Sequence, residues 1–144
     1  MNKKNMLERR QEKIMFSSNV YSYIDVLNKA SDASWLREQT LANNLSNVNT
    51  PGYKRKDVDF QGVLRRELGN MKFETLDTKV ENADLGRLKA STYVDAANYS
   101  YRIDKNNVDV DTENVELASE KLRYDALTDS MTQEFSRLRT AMQK

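Results

Sequence analysis

The chain reads Leu41-Ala42-Asn43-Asn44-Leu45-Ser46-Asn47-Val48-Asn49-Thr50-Pro51-Gly52-Tyr53-Lys54 at the point where a helical pattern meets its only proline. Leu41, Leu45 and Val48 recur at steps of four and three residues, which places them on one face of a helix. Pro51 cannot continue that helix, because its ring removes the backbone donor and clashes with the preceding turn. The segment therefore predicts a helix that ends shortly before residue 51.

Pro51 and Gly52 fit the two central positions of a type II turn. Proline presets the first φ angle, and glycine accepts the positive φ angle that the second position needs. Proline also favours an extended conformation at the residue before it, Thr50. We therefore expect a sharp change of chain direction between Thr50 and Tyr53.

The composition favours helices. Of 144 residues, 31% are charged and 38% hydrophobic, with four glycines and one proline. This supply of apolar residues is thin for a large private core, and helices whose apolar stripes stay partly uncovered in one chain tend to be covered by neighbours. We predict a mainly α fold: long N- and C-terminal helices that pack as a coiled-coil-like pair, with an irregular or short-β middle segment.

Two residue types are missing from the sequence, which limits the catalytic and metal-binding chemistry that the chain can perform. The chain has no histidine and no cysteine, so it lacks the usual metal ligands and the commonest general base near neutral pH. We therefore expect no enzymatic activity, no metal and no cofactor. A net charge of +1 supplies no strong field for nucleic acid. No stretch approaches the roughly 18 apolar residues of a membrane-spanning helix, so we expect no direct membrane insertion.

Four segments follow from the patterns along the chain. Residues 1-15 are a charged N-terminal extension, residues 16-50 form the N-terminal helix of the core, and residues 107-144 form its C-terminal helix. Residues 51-106 hold the turn, a short helix and irregular or extended chain. The short helix is predicted around Phe60 to Leu68, and weak alternation predicts extended chain at 72-76 and 99-103.

The N-terminal helix carries a heptad-like stripe whose centre is small or polar. Ser31, Ser34 and Glu38 stand where a coiled coil places core residues, which favours close packing among several helices. Trp35 lies on a neighbouring face; it either meets another subunit or anchors packing inside the chain, and the spacing leaves both open. The apolar residues of the stripe are Val20, Ile24, Leu27, Leu41, Leu45 and Val48.

The C-terminal helix begins after Asn106-Asn107, with Asp109 or Asp111 as its N-cap. A second seam follows at alternating steps of four and three, if Lys121 and Thr128 are accepted as polar interruptions. The apolar residues of this seam are Leu117, Tyr124, Met131, Phe135, Leu138 and Met142.

Two clusters invite other functions. Asp109-x-Asp111-x-Glu113 resembles part of a calcium loop, but it lacks the glycine and distant glutamate of an EF-hand, so helix capping explains it better. The basic run Lys54-Arg55-Lys56 offers contacts to nucleic-acid phosphates, but Asp57 and Asp59 interleave with it, and a solvated or subunit-contacting face is the stronger interpretation.

The segment Asn43 to Lys54 closely resembles the signature near the N-terminus of the bacterial flagellar rod and hook proteins. Six further stretches are similar to the proximal rod subunits of that family, and they lie towards both ends of the chain: Val26 to Ala30, Ala33 to Arg37, Lys54 to Phe60, Asn107 to Asp111, Glu116 to Ala118 and Leu122 to Tyr124. The resemblance implies a structural subunit of the proximal rod, which assembles with itself and with other rod proteins into a helical drive shaft of the flagellar basal body.

The same resemblance implies partners, a location and contact residues. The partners are other flagellar rod proteins, the FliE adaptor and the membrane-ring protein. The location is the basal body outside the inner membrane, reached through the type III export channel without a cleaved signal peptide. The residues we expect at the assembly interface are Leu41, Asn44, Leu45, Val48, Asn49, Thr50, Pro51, Gly52, Tyr53, Leu117, Leu122, Tyr124, Phe135 and Leu138.

Two hypotheses from other classes use the same features. A soluble helical adaptor or regulatory module would dimerise through the two seams and hold a partner with its middle segment. A small DNA-associated protein would use the basic run at residues 54-56.

Overall fold

The computed structural model describes residues 3-69, 74-95 and 105-143, with side chains from residue 21 onward. Most of the described chain is helical, as predicted, and two short strands stand in the middle. The elements are α1 (Lys3–Ser46), β1 (Lys56–Val58), α2 (Phe60–Gly69), α3 (Leu76–Glu81), β2 (Thr92–Val94) and α4 (Val110–Met142). α1 includes most of the charged extension, so the backbone of that extension continues the helix. The division into four segments otherwise stays a prediction.

The two long helices pack against each other in antiparallel directions. Asn44 near the end of α1 bonds Glu113 near the start of α4, whereas Ser34 bonds Glu120 further along. The predicted stripe of α1 faces this contact: Leu41 is fully buried and Ile24 nearly so. Its small centre is also buried, at Ser31 and Ser34, which confirms that the helices approach closely there. Val20 lies outside the residues whose side chains are described.

The structure confirms only part of the seam that was predicted for α4. Phe135 and Met142 do not belong to it, because they are 54% and 76% exposed. Nearer the start of α4, the buried residues include Glu113 and Glu120, and Glu120 stands one residue before the predicted seam position Lys121. A carboxylate enters a helix contact only when partners compensate its charge, so apolar spacing alone assigned these places wrongly. The predicted residues that do lie half-buried in the seam are Leu117, Tyr124, Met131 and Leu138.

The predicted turn is present. α1 ends at Ser46, and the N–H of Tyr53 donates to the carbonyl of Thr50 at 3.2 Å. Gly52 between them has a φ of +72°, the left-handed conformation that a type II turn needs at this place. Local sequence chemistry thus fixes where the first long helix stops and how the chain leaves it.

The middle segment differs in part from expectation. α2 matches its predicted bounds, but Leu76 begins the short helix α3, capped by Thr75, where an extended stretch at 72-76 was predicted. Residues 72-73 and 99-103 lie outside the described residues. The strands are β1 and β2, paired antiparallel with Lys56 opposite Val94. Three-residue strands show too little alternation for a sequence pattern to reveal them.

A small apolar core joins the middle segment to a second face of α1. Ala33 of α1, Phe60 of α2 and Leu88 form its buried centre, and partly buried apolar side chains such as Val26 and Leu64 surround it. α1 therefore packs against α4 on one side and against the middle segment on the other. Among the described helices, none combines the length and the apolar character that crossing a membrane requires.

Candidate assembly interface

Arg37 joins three elements through charge. Its guanidinium lies 2.8 Å from carboxylate oxygens of Asp57, Glu116 and Glu120 alike. Glu120 is buried, and its other oxygen accepts from the hydroxyl of Ser34 at 2.6 Å. One planar, permanently charged side chain with five donors therefore ties α1 to β1 and α4 at once.

Arg55 also pairs with carboxylates of both α4 and β1. Its Nε donates to Glu113, which is fully buried, and its Nη1 lies 3.1 Å from Asp57. The N–H of Arg55 also donates to the side chain of Asn107 at 2.7 Å. This inward orientation removes Arg55 from the proposed phosphate-binding face, because its charge is already matched by buried carboxylates.

The charges of this network stabilise one another. Hydrogen bonding to Asp57 raises the pKa of Arg37, with Glu120 and Glu116 adding to the effect against the opposing influence of burial. Burial by itself would raise the pKa of Asp57, but the hydrogen bond and charge of Arg37 outweigh it and lower that pKa. Asp57 therefore stays ionised between two arginines, where it compensates both.

Asn44 is the neutral centre of the network and is fully buried. Its amide pairs with the backbone of Lys56 in both directions, donating at 2.7 Å and accepting at 3.0 Å, and it also donates to Glu113 at 2.9 Å. The hydroxyl of Tyr53 donates to the same amide oxygen at 3.2 Å. Burial and the charge of Glu113 raise the pKa of Tyr53, which keeps that hydroxyl protonated. One asparagine thus docks β1 and α4 onto α1.

Asn106 secures the turn after α1 from the other end of the chain. Nδ2 of this fully buried side chain lies 2.9 to 3.0 Å from the backbone carbonyl oxygens of Asn47, Val48 and Thr50, so its two N–H groups are shared among three acceptors. Those carbonyls lie just beyond the end of α1, and two of them, on Asn47 and Thr50, also accept from the backbone N–H groups of Thr50 and Tyr53. Asn106 adds side-chain donors to this stretch and so fixes the turn against the start of α4.

The start of α4 is capped as predicted. Asp109 is the N-cap, and its carboxylate accepts from the N–H of Asp111 at 3.0 Å and from the hydroxyl of Thr112 at 3.1 Å. Glu113 of the same acidic triplet points inward to Arg55. The triplet therefore serves a helix end and a buried ion pair.

The predicted interface residues fall into three groups by exposure. Leu41 and Asn44 are fully buried inside the chain. Six are half-buried: Leu45, Val48, Tyr53, Leu117, Tyr124 and Leu138. Six are exposed: Asn49, Thr50, Pro51, Gly52, Leu122 and Phe135. The structure brings the Asn44 and Tyr53 side chains together. Leu122 and Phe135 lie on α4, at a distance from the turn that follows α1.

The sequence reasoning missed Arg37, Glu113, Glu120 and Asn106. Each is a polar residue that ordinary patterning assigns to the surface. The signal that could have found the two glutamates is their seven-residue spacing, which matches a heptad seam when carboxylates are allowed in it. Asn106 carries no comparable signal, because its three acceptors lie some 56 to 59 residues earlier.

An apolar strip on α4 faces away from α1. Leu122 is 71% exposed and Val115 is 70% exposed, and Ala118 lies between them on the same face. At about 100° per residue, Leu122 stands about 160° around the helix from the buried Glu120. Large apolar side chains exposed in a row commonly mark a contact with another protein.

Comparisons with known proteins bear on the segment that holds this network. The sequence profile of the family described as flagella basal body rod protein matches residues 37–54. That range begins at Arg37 and includes Asn44, Tyr53 and the turn. The family segment therefore covers the end of α1 and the turn after it, and it contains three side chains of the buried network.

Whole-chain relatives extend the match. The chain is 31% identical over 129 residues to the flagellar basal body rod protein FlgB of Bacillus subtilis, covering 89% of this chain and 95% of the relative. It is 28% identical over 120 residues to FlgB of Borrelia hermsii, covering 78% and 89% of the two chains. It is 30% identical over 95 residues to FlgB of Escherichia coli, covering 61% and 69%. With a matching family segment and an alignment over nearly the whole length of a relative, this chain belongs to the FlgB family of flagellar basal body rod proteins.

Proposed function

We propose that the chain is a structural subunit of the rod in the flagellar basal body. The observation that carries this proposal is the alignment with a FlgB rod protein over 95% of that protein's length. A structural role also agrees with a sequence that lacks histidine and cysteine. The alternative of a dimerising adaptor is not favoured, because the relatives are named as rod proteins.

The buried network supports this role by making the subunit one stiff unit. Arg37, Asn44 and Arg55 hold α1, β1 and α4 in a single register, because each bonds groups on more than one element. A polar network whose members are satisfied specifies one arrangement of the helices and resists sliding. Torque passed along a rod then loads packed helices and buried hydrogen bonds together.

Contacts with neighbours fall to the exposed members of the predicted interface. Thr50, Pro51 and Gly52 form one exposed tip, and Leu122 and Phe135 form exposed apolar points along α4. Leu41 and Asn44 act indirectly, by holding the helix pair in the arrangement that presents those surfaces. Contacts between unlike faces of successive copies generate a helical filament unless the rotation closes into a ring.

The finer setting of the subunit is part of the same proposal. Its partners are other rod proteins, the FliE adaptor and the membrane-ring protein. It leaves the cell through the type III export channel without a cleaved signal peptide and is located outside the inner membrane. The low share of apolar residues, 38%, suits a chain that is held by many shallow contacts between subunits.

Removing the end of α4 tests the proposal. In the bacterium that encodes the chain, a copy lacking residues 124-144 should give non-motile cells without filaments, and electron microscopy of basal bodies should show no complete rod. A copy with Ser119→Ala, an exposed residue of α4, serves as the control and should restore swimming. Normal swimming with the truncated chain would contradict a rod subunit, and intact basal bodies in non-motile cells would favour an adaptor.

A further inference from the structure

A half-open cleft of about 500 Å³ lies where α1, α2 and α4 meet. Ala33 and Ser34 of α1 form its buried floor, and Phe60, Leu64 and Leu127 give it apolar walls. Charged side chains of the buried network, Arg37, Asp57 and Glu120, also line it, together with Glu116 and the exposed guanidinium of Arg123. A flat apolar group with one hydrogen-bond donor at its edge fits these surroundings.

Among the residues whose side chains are described, the largest exposed group of that kind is an indole. Trp35 is the only tryptophan, and it is 54% exposed although its neighbour Ser34 is buried. An indole carries a large apolar surface and a single N–H donor, and it gains most when the ring is buried and the donor meets an acceptor. The cleft supplies apolar walls for the ring, a carboxylate acceptor in Glu116 and a cation in Arg123 for its face.

Trp35 and the cleft stand on nearly opposite sides of the same helix. The α1 residues that line the cleft are Ala30, Ala33, Ser34 and Arg37. At about 100° per residue, Trp35 lies about 150° around α1 from the centre of that group. It lies at the same height along the helix, because the cleft-lining residues extend to both sides of it in sequence. Trp35 of one chain therefore cannot fill its own cleft.

We infer that Trp35 of one copy inserts into the cleft of the next copy. A contact between two unlike surfaces of identical chains is heterologous, so it repeats from copy to copy. Because Trp35 and the cleft share one height on α1, successive copies whose α1 helices run parallel lie side by side with little axial offset. This inference rests on the proposed rod function and names the contact that joins neighbouring subunits around the rod.

The single tryptophan makes the contact directly measurable. Emission of Trp35 in the purified chain should shift to shorter wavelength as protein concentration rises, and sedimentation should show species larger than a monomer. Tyr21→Ala, an exposed aromatic residue of α1, is the control and should leave the shift unchanged. Emission that stays at the wavelength of an exposed indole up to the solubility limit would overturn the inference.

Two substitutions in the cleft and one substitution of Trp35 distinguish the heterologous contact from other pairings. Leu127→Glu replaces an apolar wall with a charge, and Gln61→Phe fills the cleft from an exposed place on α2. Each variant alone should lose the shift while its circular dichroism stays like that of the unaltered chain. Having two variants keeps the test decisive if one of them fails to fold.

Mixing gives the sharpest outcome. Trp35→Ala has no tryptophan but an intact cleft, so adding it to Leu127→Glu should restore the emission shift and stop assembly at pairs. A symmetric contact between two Trp35 side chains predicts no restoration, and a cleft variant that still shifts alone would show a different occupied surface. Either result overturns the inference. Swimming of the truncated strain reports on the rod function separately, so the two proposals can fail independently.

Discussion

The side-chain amide of Asn44 donates to the carboxylate of Glu113 at 2.9 Å, and both residues are fully buried between the two long helices. Glu113 also accepts a hydrogen bond from Arg55, and Asn44 also donates a hydrogen bond to the backbone carbonyl of Lys56. An amide and a carboxylate, each satisfied by further partners, therefore occupy a place where helix pairs usually carry leucine. The register of the subunit therefore depends on these polar contacts.

Replacing Asn44 should unfold the junction. Asn44→Ala leaves the Lys56 backbone and part of Glu113 without partners in a buried site, which should lower the free energy of unfolding by about 3 kcal/mol. Urea denaturation followed by circular dichroism measures the loss. The exposed neighbour Asn43→Ala is the matched control and should change stability by less than about 0.5 kcal/mol. Equal effects of the two substitutions would contradict the role of Asn44.

Removing the charge of Arg37 should be more damaging than changing its shape. Arg37→Met removes the cation that Asp57, Glu116 and Glu120 share, and it should lower the free energy of unfolding by about 3 kcal/mol. The loss is limited because Arg55 still pairs with Asp57 and Arg123 still pairs with Glu120. Arg37→Lys keeps the charge but reaches fewer partners, so its loss should be smaller. Exposed Arg65→Met is the control. In a double-mutant cycle with Glu120→Gln the losses should be less than additive; strict additivity would show that the two side chains do not interact.

Acid should weaken the subunit through Asp57. Its pKa in the folded chain lies below the ordinary value of 3.8. The stabilisation from its ionised form is therefore complete above that value and is lost as the pH falls through the folded pKa. The stability difference between the unaltered chain and Asp57→Asn should be large at neutral pH and should shrink below about pH 4. Denaturation across this range checks it, with exposed Asp32→Asn as the control; a difference that stays constant with pH would contradict the ion pair.

The turn after α1 depends on one left-handed residue. A Cβ at Gly52 meets nothing within 4 Å, so only its φ of +72° resists substitution. Gly52→Ala should lower the free energy of unfolding by about 1 kcal/mol, and Gly52→Asn by less, because asparagine tolerates this conformation. Thermal melting measures both. Alanine and asparagine with the same melting temperature would argue against strain at this turn.

Substitution of Leu122 should impair assembly without affecting folding. It is 71% exposed, so Leu122→Ser should leave the free energy of unfolding within about 0.5 kcal/mol of the unaltered chain. If α4 packs against a neighbouring subunit through this strip, the same substitution should reduce swimming on soft agar. Lys121→Ala, adjacent and exposed, should swim normally. Normal swimming by Leu122→Ser would remove this strip from the interface.

Local patterns predicted the elements whose causes are local. Leu41 and Pro51 revealed where α1 runs and stops, and Asp109 revealed where α4 begins. Each of these signals acts within one or two turns of chain, so a sequence displays it directly.

The long-range polar contacts were not predictable in the same way. Sequence patterning assigns Glu120 to the surface, because its partner Arg37 lies 83 residues earlier in the chain. Because the seam was assigned from apolar residues alone, Phe135 was placed inside it although it is 54% exposed. Burial of a charge depends on its partners, and the fold brings those partners together only after the local elements have formed.

The central claim is that buried polar contacts hold α1 and α4 in one register within a single chain. The most direct test is the distance between spin labels on Gln39→Cys and Ser119→Cys, two exposed sites in a chain that has no native cysteine. Pulsed electron resonance on the isolated chain should give one narrow distance distribution, which broadens when Arg37→Met is added. A distribution that is already broad in the chain with an intact network would contradict the account.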